Sequence, residues 1–328
     1  MEEKSKKRPW KSRLPRLFIA LIVLTVALEL VLRFVFGLGH PLLYTSDPEC
    51  GYLPAPNQHL YRFFAHNDIN SLNMRSAPMQ TVKPPDGIRI LFVGDSVTYG
   101  QTYVDQPKIF TSILNSELPA LLHRPVEVLN ASAGGWAVGN ELGYVKSRGV
   151  HDADLVIFVI NTLDMTQPFN DDIPGLELSL DDHNPPFAIA EAWTRYIKPR
   201  IFHQSDADRG SQAPVAGSSQ TVEQTIGQLE EAHQRVIKAG ARFAIAYSPV
   251  RETVGEQFVP LHGQSFPLLK QWADGANVPL LDLEQAYKSA TFAATYHDAI
   301  HLSPGGHAVV AKAIEQWPLI HEYDKSAK

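Results

Sequence analysis

Five short runs of nearly unbroken apolar residues mark the chain after residue 86. They are "IRILFV" (88–93), "VEVLN" (126–130), "DLVIFVIN" (154–161), "RFAIAYS" (242–248) and "VPLLDL" (278–283). Runs of this length without polar alternation predict strands covered on both faces. Helical periodicity fills the gaps between them. Over 220–239 the residues Val222, Ile226, Leu229, Val236 and Ile237 form one stripe, and Gly240 supplies a C-terminal stop. A second helix is predicted from Ser303-Pro304, an N-cap followed by proline at the first helical position, to Trp317, with Pro318 ending it. Strands alternating with helices predict a parallel sheet with helices on both sides.

The N-terminus has a different pattern. "MEEKSKKRPWKSRLPR" (1–16) is strongly basic, and Leu17 to Leu38 are then apolar apart from Thr25, Glu29 and Arg33. About 20 apolar residues span a bilayer core, so residues 17–38 are expected to be a transmembrane anchor. Glu29 and Arg33 lie four apart on one helical face and can pair there. The basic tail 1–16 stays cytoplasmic, which places everything beyond residue 40 on the periplasmic or extracellular side. The rival reading is a cleaved signal peptide with Gly37-Leu38-Gly39 as the cut site. Length and the charges beside that site disfavour it.

Two segments break the alternation. Residues 39–86, rich in Pro, Asn and aromatics, are expected to be a linker with short strands packing on the main domain, closed by Pro84-Pro85-Asp86-Gly87. Residues 162–218 form a long polar insertion. Within it 187–202 is expected to order as a cover over the site, and 205–218 to be a mobile loop. The main domain then runs from 87 to 320, with a tail at 321–328.

Composition narrows the function. A 328-residue chain with 44% hydrophobic and 20% charged residues folds, and its net charge of −6 with no basic motif beyond the tail excludes nucleic-acid binding as an expectation. The single Cys50 allows neither a disulfide framework nor a Cys metal pair, and a buried thiol is the expected role. His297 and His307 stand near His301 without carboxylate or Cys partners in a ligand pattern, so no metal or other cofactor is expected.

In an open parallel sheet, chemistry collects at the carboxyl ends of the strands. After the first strand stands Gly94-Asp95-Ser96, after the second "NASAGGW" (130–136), and at the end of the third Asn161. "YHDAIHLSPGGH" precedes the last helix and contains Asp298 and His301. A serine hydroxyl needs a base, and the base needs an orienting group. Ser96, His301 and Asp298 can fill those three roles. The oxyanion can be met by the backbone N–H groups of Ser96 and Gly135 and by the Asn161 amide. Chance alone predicts roughly 0.7 Asp-x-x-His pairs in such a chain, so the Asp298/His301 pair means little by itself. The joint pattern, each piece at a strand or helix end, means much more.

That pattern resembles the SGNH hydrolase superfamily, the GDSL esterase/lipase family, over about residues 86–320. Gly94-Asp95-Ser96 is similar to its first block, Gly135 to the glycine of its second, Asn161 to the asparagine of its third, and Asp298 with His301 to its last. The resemblance implies a flavodoxin-like three-layer α/β/α sandwich of about five parallel strands, and acyl-ester chemistry. There are departures. The third block usually reads Gly-x-Asn-Asp, where this chain has Val159-Ile160-Asn161-Thr162. Either Gly134 or Gly135 can be the second-block donor, with Gly135 favoured. "NDINSLNMRSAPM" resembles the Asn-Ser-x-Gly-x-Arg region of membrane-anchored bacterial members acting on surface carbohydrate, with Asn73 in the glycine's place. An α/β-hydrolase elbow, Gly-x-Ser-x-Gly, is excluded because Thr98 stands two places after Ser96.

The leading expectation is therefore a membrane-anchored serine esterase acting on short acyl esters, such as acetylated polysaccharide, outside the cytoplasm. The same residues would serve an O-acyltransferase supplied by a membrane acyl-donor partner. A non-catalytic carbohydrate-binding protein is disfavoured because Ser96 and His301 are both kept. Trp136 and Trp193 are candidates for either a binding wall or core packing, and Asp171-Asp172 and Asp181-Asp182 for solvated loop charges.

Overall fold

The computed structural model describes residues 14–177, 179–201, 220–254, 257–261, 263, 265–290 and 295–326. The expected mobile loop 205–218 lies outside the described residues, as does most of the basic tail. Helix α1 (Leu14–Phe34) is apolar apart from Arg16, Thr25, Glu29 and Arg33 and leaves most of its side chains exposed, Glu29, Leu32 and Arg33 being half-buried, and its segment Pro15–Phe34 is long and apolar enough to cross a membrane. Two antiparallel hairpins follow, β1 (Tyr44–Asp47) with β2 (Gly51–Pro54) and β3 (Gln58–Arg62) with β4 (Ala65–Ile69).

The sheet is built from β5 (Ile88–Gly94), β6 (Val126–Ser132), β7 (Leu155–Asn161), β8 (Arg242–Ser248) and, beyond the small hairpin β9 (Val250–Val254) with β10 (Gln257–Leu261), β11 (Leu280–Asp282). All five pair in parallel, in the order β11-β8-β7-β5-β6. In the inner strands β5, β7 and β8 the apolar runs are continuous because successive side chains point to opposite, buried faces. Leu91 and Val93 join one core cluster with Phe158, Ile160 and Leu229, while Ile90 and Phe92 join another with Ile157, Leu114 and Val310. The first cluster also takes in Tyr44, Tyr52, Leu60 and Ile69, so the hairpins after α1 share the sheet's core. Buried Cys50 and Trp136 lie in the same cluster, which settles Trp136 as a packing residue.

Short sequence signals set the helix ends. The helix Val222–Lys238 opens on a reciprocal cap in which Thr221 Oγ accepts from Gln224 N–H at 3.2 Å and Gln224 Oε1 accepts from Thr221 N–H at 2.9 Å. In the helix Pro304–Glu315, Ser303 Oγ accepts from the N–H of Gly306 at 3.1 Å, as its Ser-Pro start predicts. Pro318 does not simply end that helix. It begins a new short one, Pro318–His321, since proline suits a first helical turn.

His307 on this helix is fully buried, its ring stacked on Phe110, and its Nδ1 accepts the Phe110 N–H at 3.3 Å. Burial, reinforced by the Arg75 charge, pushes its pKa down to about 3. The folded state thus binds no proton here while the unfolded chain takes one up below its ordinary value of about 6.5. Stability is lost as pH falls through that window, with a slope approaching about 1.4 kcal/mol per pH unit from this one group. Urea unfolding at pH 7, 6 and 5 should show a shallower slope in His307→Leu, by roughly 0.7 kcal/mol between pH 7 and 6 and roughly 1.2 kcal/mol between pH 6 and 5. Equal slopes would show that His307 does not stay neutral in the fold.

Candidate active site

The carboxyl ends of β5, β6 and β7 lie side by side, with Gly94 in register with Ser132 on one side and Val159 on the other. Ser96 opens the four-residue helix α2 (Ser96–Tyr99) directly after β5. Asp95 caps it, with Oδ1 accepting the Val97 N–H at 2.8 Å. Ser96 is consequently held at a sharp strand-to-helix turn and is only 7% exposed.

His301 and Asp298 come from a loop pinched at its base. Tyr296 bridges Leu302, His297 N–H donates to the His301 carbonyl at 2.8 Å, and the Tyr296 hydroxyl donates to the Pro249 carbonyl at 2.7 Å. Gly306 of the following helix presses against this loop. A Cβ there would stand 1.9 Å from the Thr295 carbonyl oxygen, so no other residue allows so close an approach. The loop is closed from the other side by Arg251, whose N–H donates to the Ala299 carbonyl at 2.7 Å.

This scaffold brings together the residues singled out in the sequence. Ser96 Oγ lies 2.9 Å from His301 Nε2, and His301 Nδ1 lies 2.7 Å from Asp298 Oδ2. Asp298 Oδ1 also accepts the N–H groups of Ile300 and His301, each at 2.8 Å. Partial burial raises its carboxyl, but these three hydrogen bonds outweigh it and hold the pKa well below the usual carboxylate range. Asp298 is thus a fixed anion, suited to orient an imidazole and stabilise its charged form.

Asn161 ends β7 with its amide orientation fixed. Its Oδ1 accepts the Leu163 N–H at 2.6 Å, and its Nδ2 donates one hydrogen to Asp95 Oδ2 at 2.8 Å. Among the described residues the second Nδ2 hydrogen meets no acceptor, which leaves it for another group. Gly135 adopts φ +86°, in the left-handed region that favours glycine, and its carbonyl is taken by the Gln167 and Asn170 side chains at 3.2 and 3.0 Å. Gly134 turns its own carbonyl to the Tyr52 hydroxyl at 2.8 Å.

Three acidic residues behind Asn161 were not read from the sequence as a group. Asp95, Asp164 and Glu141 are all buried, and Asp164 Oδ2 accepts the Asn161 N–H at 2.8 Å. Burial raises all three, Glu141 and Asp164 far above the usual range, partly because they face one another. No local pattern signals such a cluster, since its members are 46 and 23 residues apart in sequence. Other expectations shift as well. His307 lies in the core, and the His297 ring packs against Tyr103, tilted by 31° with ring centroids 4.2 Å apart. Asp181 is not a free loop charge but pairs with Arg195. Residues 187–202 do order, up to Ile201, but the hydrogen bonds of this stretch tie it to the end of α1 rather than across the site.

A parallel α/β/α sandwich with a serine hydroxyl, imidazole and carboxylate chained at its strand ends defines a serine hydrolase. The chain belongs to the GDSL-like lipase/acylhydrolase family, which it matches over residues 92–309, and it is an enzyme acting on ester bonds. Solved structures of similar fold include an acetylxylan esterase of Geobacillus stearothermophilus (a catalytic mutant) and a lipase/acylhydrolase from Enterococcus faecalis. The first is 16% identical with a TM-score of 0.43, covering 72% of this chain and 94% of its own. The second is 14% identical with a TM-score of 0.43, covering 70% and 94%. A search of curated protein sequences found no match.

Proposed function

We propose that the protein is an esterase, anchored in a membrane by α1, that removes short acyl groups, acetyl foremost, from carbohydrate outside the cytoplasm. In this reading residues 1–16 are a cytoplasmic tail, 17–38 the anchor and 87–320 the hydrolase domain. Ser96 Oγ attacks the ester carbonyl carbon and its proton passes to His301 Nε2, while Asp298 stabilises the imidazolium. The tetrahedral oxyanion is met by the N–H groups of Ser96 and Gly135 and by the second Nδ2 hydrogen of Asn161. The intermediate collapses, and the departing alcohol takes the proton from His301. Water, deprotonated by His301, then attacks acyl-Ser96 and releases the acid.

The observation that carries this reading is the unbroken hydrogen-bond chain from Ser96 through His301 to Asp298, at 2.9 and 2.7 Å. Retention of α1 is supported by its tertiary contacts, since cleavage at Gly37–Gly39 would remove Glu29, which accepts the Ala188 and Ile189 N–H groups, and Arg33, which donates to the Pro186 carbonyl. Leu38 is 3% exposed, and the Gly39 N–H donates to Glu191 Oε2 at 2.5 Å.

The test is a series of p-nitrophenyl esters of two to twelve carbons, together with acetylated xylan, on the full-length protein in detergent. The acetyl ester should exceed the octanoyl ester in kcat/KM by about 10-fold or more, with acetate released from the polysaccharide. A preference for long chains would overturn the short-acyl reading. No turnover from folded protein would instead favour acyl transfer to a sugar hydroxyl.

A further inference from the structure

The helical stretch that was expected to cover the site sits elsewhere, and its position is informative. It comprises Ala188–Glu191, a π-helical turn Ala192–Ile197, and Lys198–Ile201. Its first two N–H groups, of Ala188 and Ile189, donate to the Glu29 carboxylate of α1 at 2.9 and 3.0 Å. Arg33 completes the joint, pairing with Glu29 at 2.9 Å and reaching the Pro186 carbonyl at 3.3 Å. Further along, Glu191 forms a buried ion pair with Arg62 of the second hairpin, and Leu38 packs on Ala188 and Ala192. The stretch is therefore bolted to the last turns of α1.

We infer that this stretch, with the neighbouring hairpin tip, is a second membrane contact that seats the catalytic domain on the headgroup boundary around the end of α1. The inference rests on reading α1 as a membrane span. Its apolar segment of 20 residues is about 30 Å long, the thickness of a hydrocarbon core. Glu29 lies five residues before Phe34, so the start of the stretch stands about 7–8 Å from the end of the span. An interfacial helix sinks its apolar face about 5–10 Å into the headgroup/acyl boundary, so that distance suits a stretch lying at the rim of the hydrocarbon core.

The outward face has the chemistry of that boundary. Trp193, Ile197 and Ile201, spaced four apart, are 46%, 44% and 54% exposed, and Phe187 at the start is 62% exposed. Lys198 and Arg200 are exposed beside them, placed to reach lipid phosphates while their stems stay in the apolar layer. The tip of the second hairpin adds Phe63 and Phe64, whose rings meet Phe36 at 6.4 and 6.1 Å centroid distance, just past α1. Both tip residues have positive φ, 47° and 67°, where a bulky residue is rarely found and Asn or Gly sits more easily. Keeping aromatics there makes sense if their rings are wanted in an apolar phase. Scattered surface hydrophobics are ordinary. These are continuous with the exposed apolar surface of α1, which distinguishes a bilayer from a protein partner as the occupant.

The full-length chain in nanodiscs of phosphatidylethanolamine and phosphatidylglycerol provides the test. Single cysteines at Thr25, Ile197, Ile201 and exposed Lys238 are spin-labelled. Native Cys50 is fully buried and its thiol pKa is pushed up by burial, so it stays unlabelled. Accessibility to oxygen is then compared with accessibility to a water-soluble nickel chelate. Labels at 197 and 201 should favour oxygen several-fold relative to 238, as the label at 25 does. If 197 and 201 behave like 238 while 25 favours oxygen, the anchor stands and the seating is wrong. If 25 also behaves like 238, the span itself fails and the inference with it.

Discussion

Ser96→Ala is expected to lower kcat for p-nitrophenyl acetate by roughly 10⁴–10⁶-fold, with Tm within about 2 °C of the parent. The hydroxyl is the one atom removed, and it lies 2.9 Å from His301 Nε2 in a turn whose backbone is fixed by the Asp95 cap. Alanine keeps that backbone, so the Ser96 N–H remains available to an oxyanion. What survives should be the modest acceleration from the oxyanion donors alone. His301→Ala should cost about as much, and the double variant little more, because nucleophile and base act as a unit. Asn161→Ala should cost less, on the order of 10²–10³-fold in kcat, because it would remove one of the three proposed oxyanion donors. The measurement is burst and steady-state kinetics beside a thermal melt. Ser96→Ala retaining a tenth of parental kcat would place the nucleophile elsewhere.

The central fold was legible because it rests on local patterns. The inner strands β5 and β7 are buried on both faces from end to end, and a two-faced parallel strand leaves that mark whatever its neighbours are, while the edge strand β11 is only half-buried. The Ser303-Pro304 start and the Asp298/His301 spacing were legible for the same reason: each lies within a few residues. What was hidden is what only tertiary contact creates. The stretch 187–202 reads as a cover because it lies in a long insertion near the strand ends, but its docking partner, Glu29, is about 160 residues earlier. Asp95 reads as a turn former and in fact orients Asn161 through a bond between residues 66 apart. The cluster of Asp95, Asp164 and Glu141 behind the site is likewise assembled by the sheet and not by any motif.

Arg75 shows the same principle in the segment "NSLNMRSAPM", where the sequence offers a motif likeness but no role. The structure buries it completely and gives it four hydrogen bonds. Nη1 donates to the Tyr99 and Gln101 carbonyls at 2.8 and 2.7 Å, Nη2 to the Val104 carbonyl at 2.5 Å, and Nε to Gln106 Oε1 at 3.1 Å. The guanidinium also lies over the Tyr99 ring, 4.8 Å from its centroid. Burial pulls its pKa down despite the nearby anionic Asp68 and Asp105, so holding this charge in the core is itself costly. Arg75→Met would remove that cost and fill most of the volume. Against this gain, three carbonyls lose their donor, at about 1–3 kcal/mol each. The second effect should win, leaving a net loss of about 3 kcal/mol or more and a Tm lower by roughly 6–12 °C. Arg75→Lys should rescue little, because one ammonium cannot span acceptors arranged around a planar fork. Activity should fall too at temperatures where the variant is folded. The freed loop carries Tyr103, whose ring packs against His297, the residue before Asp298. A displacement of even 1 Å at the acid can cost about 10²-fold in rate. Urea unfolding paired with kcat at 15 °C would check both effects. An Arg75→Met variant within 1 kcal/mol of the parent would show that the carbonyls find water instead, and that the arginine is not what holds the loop.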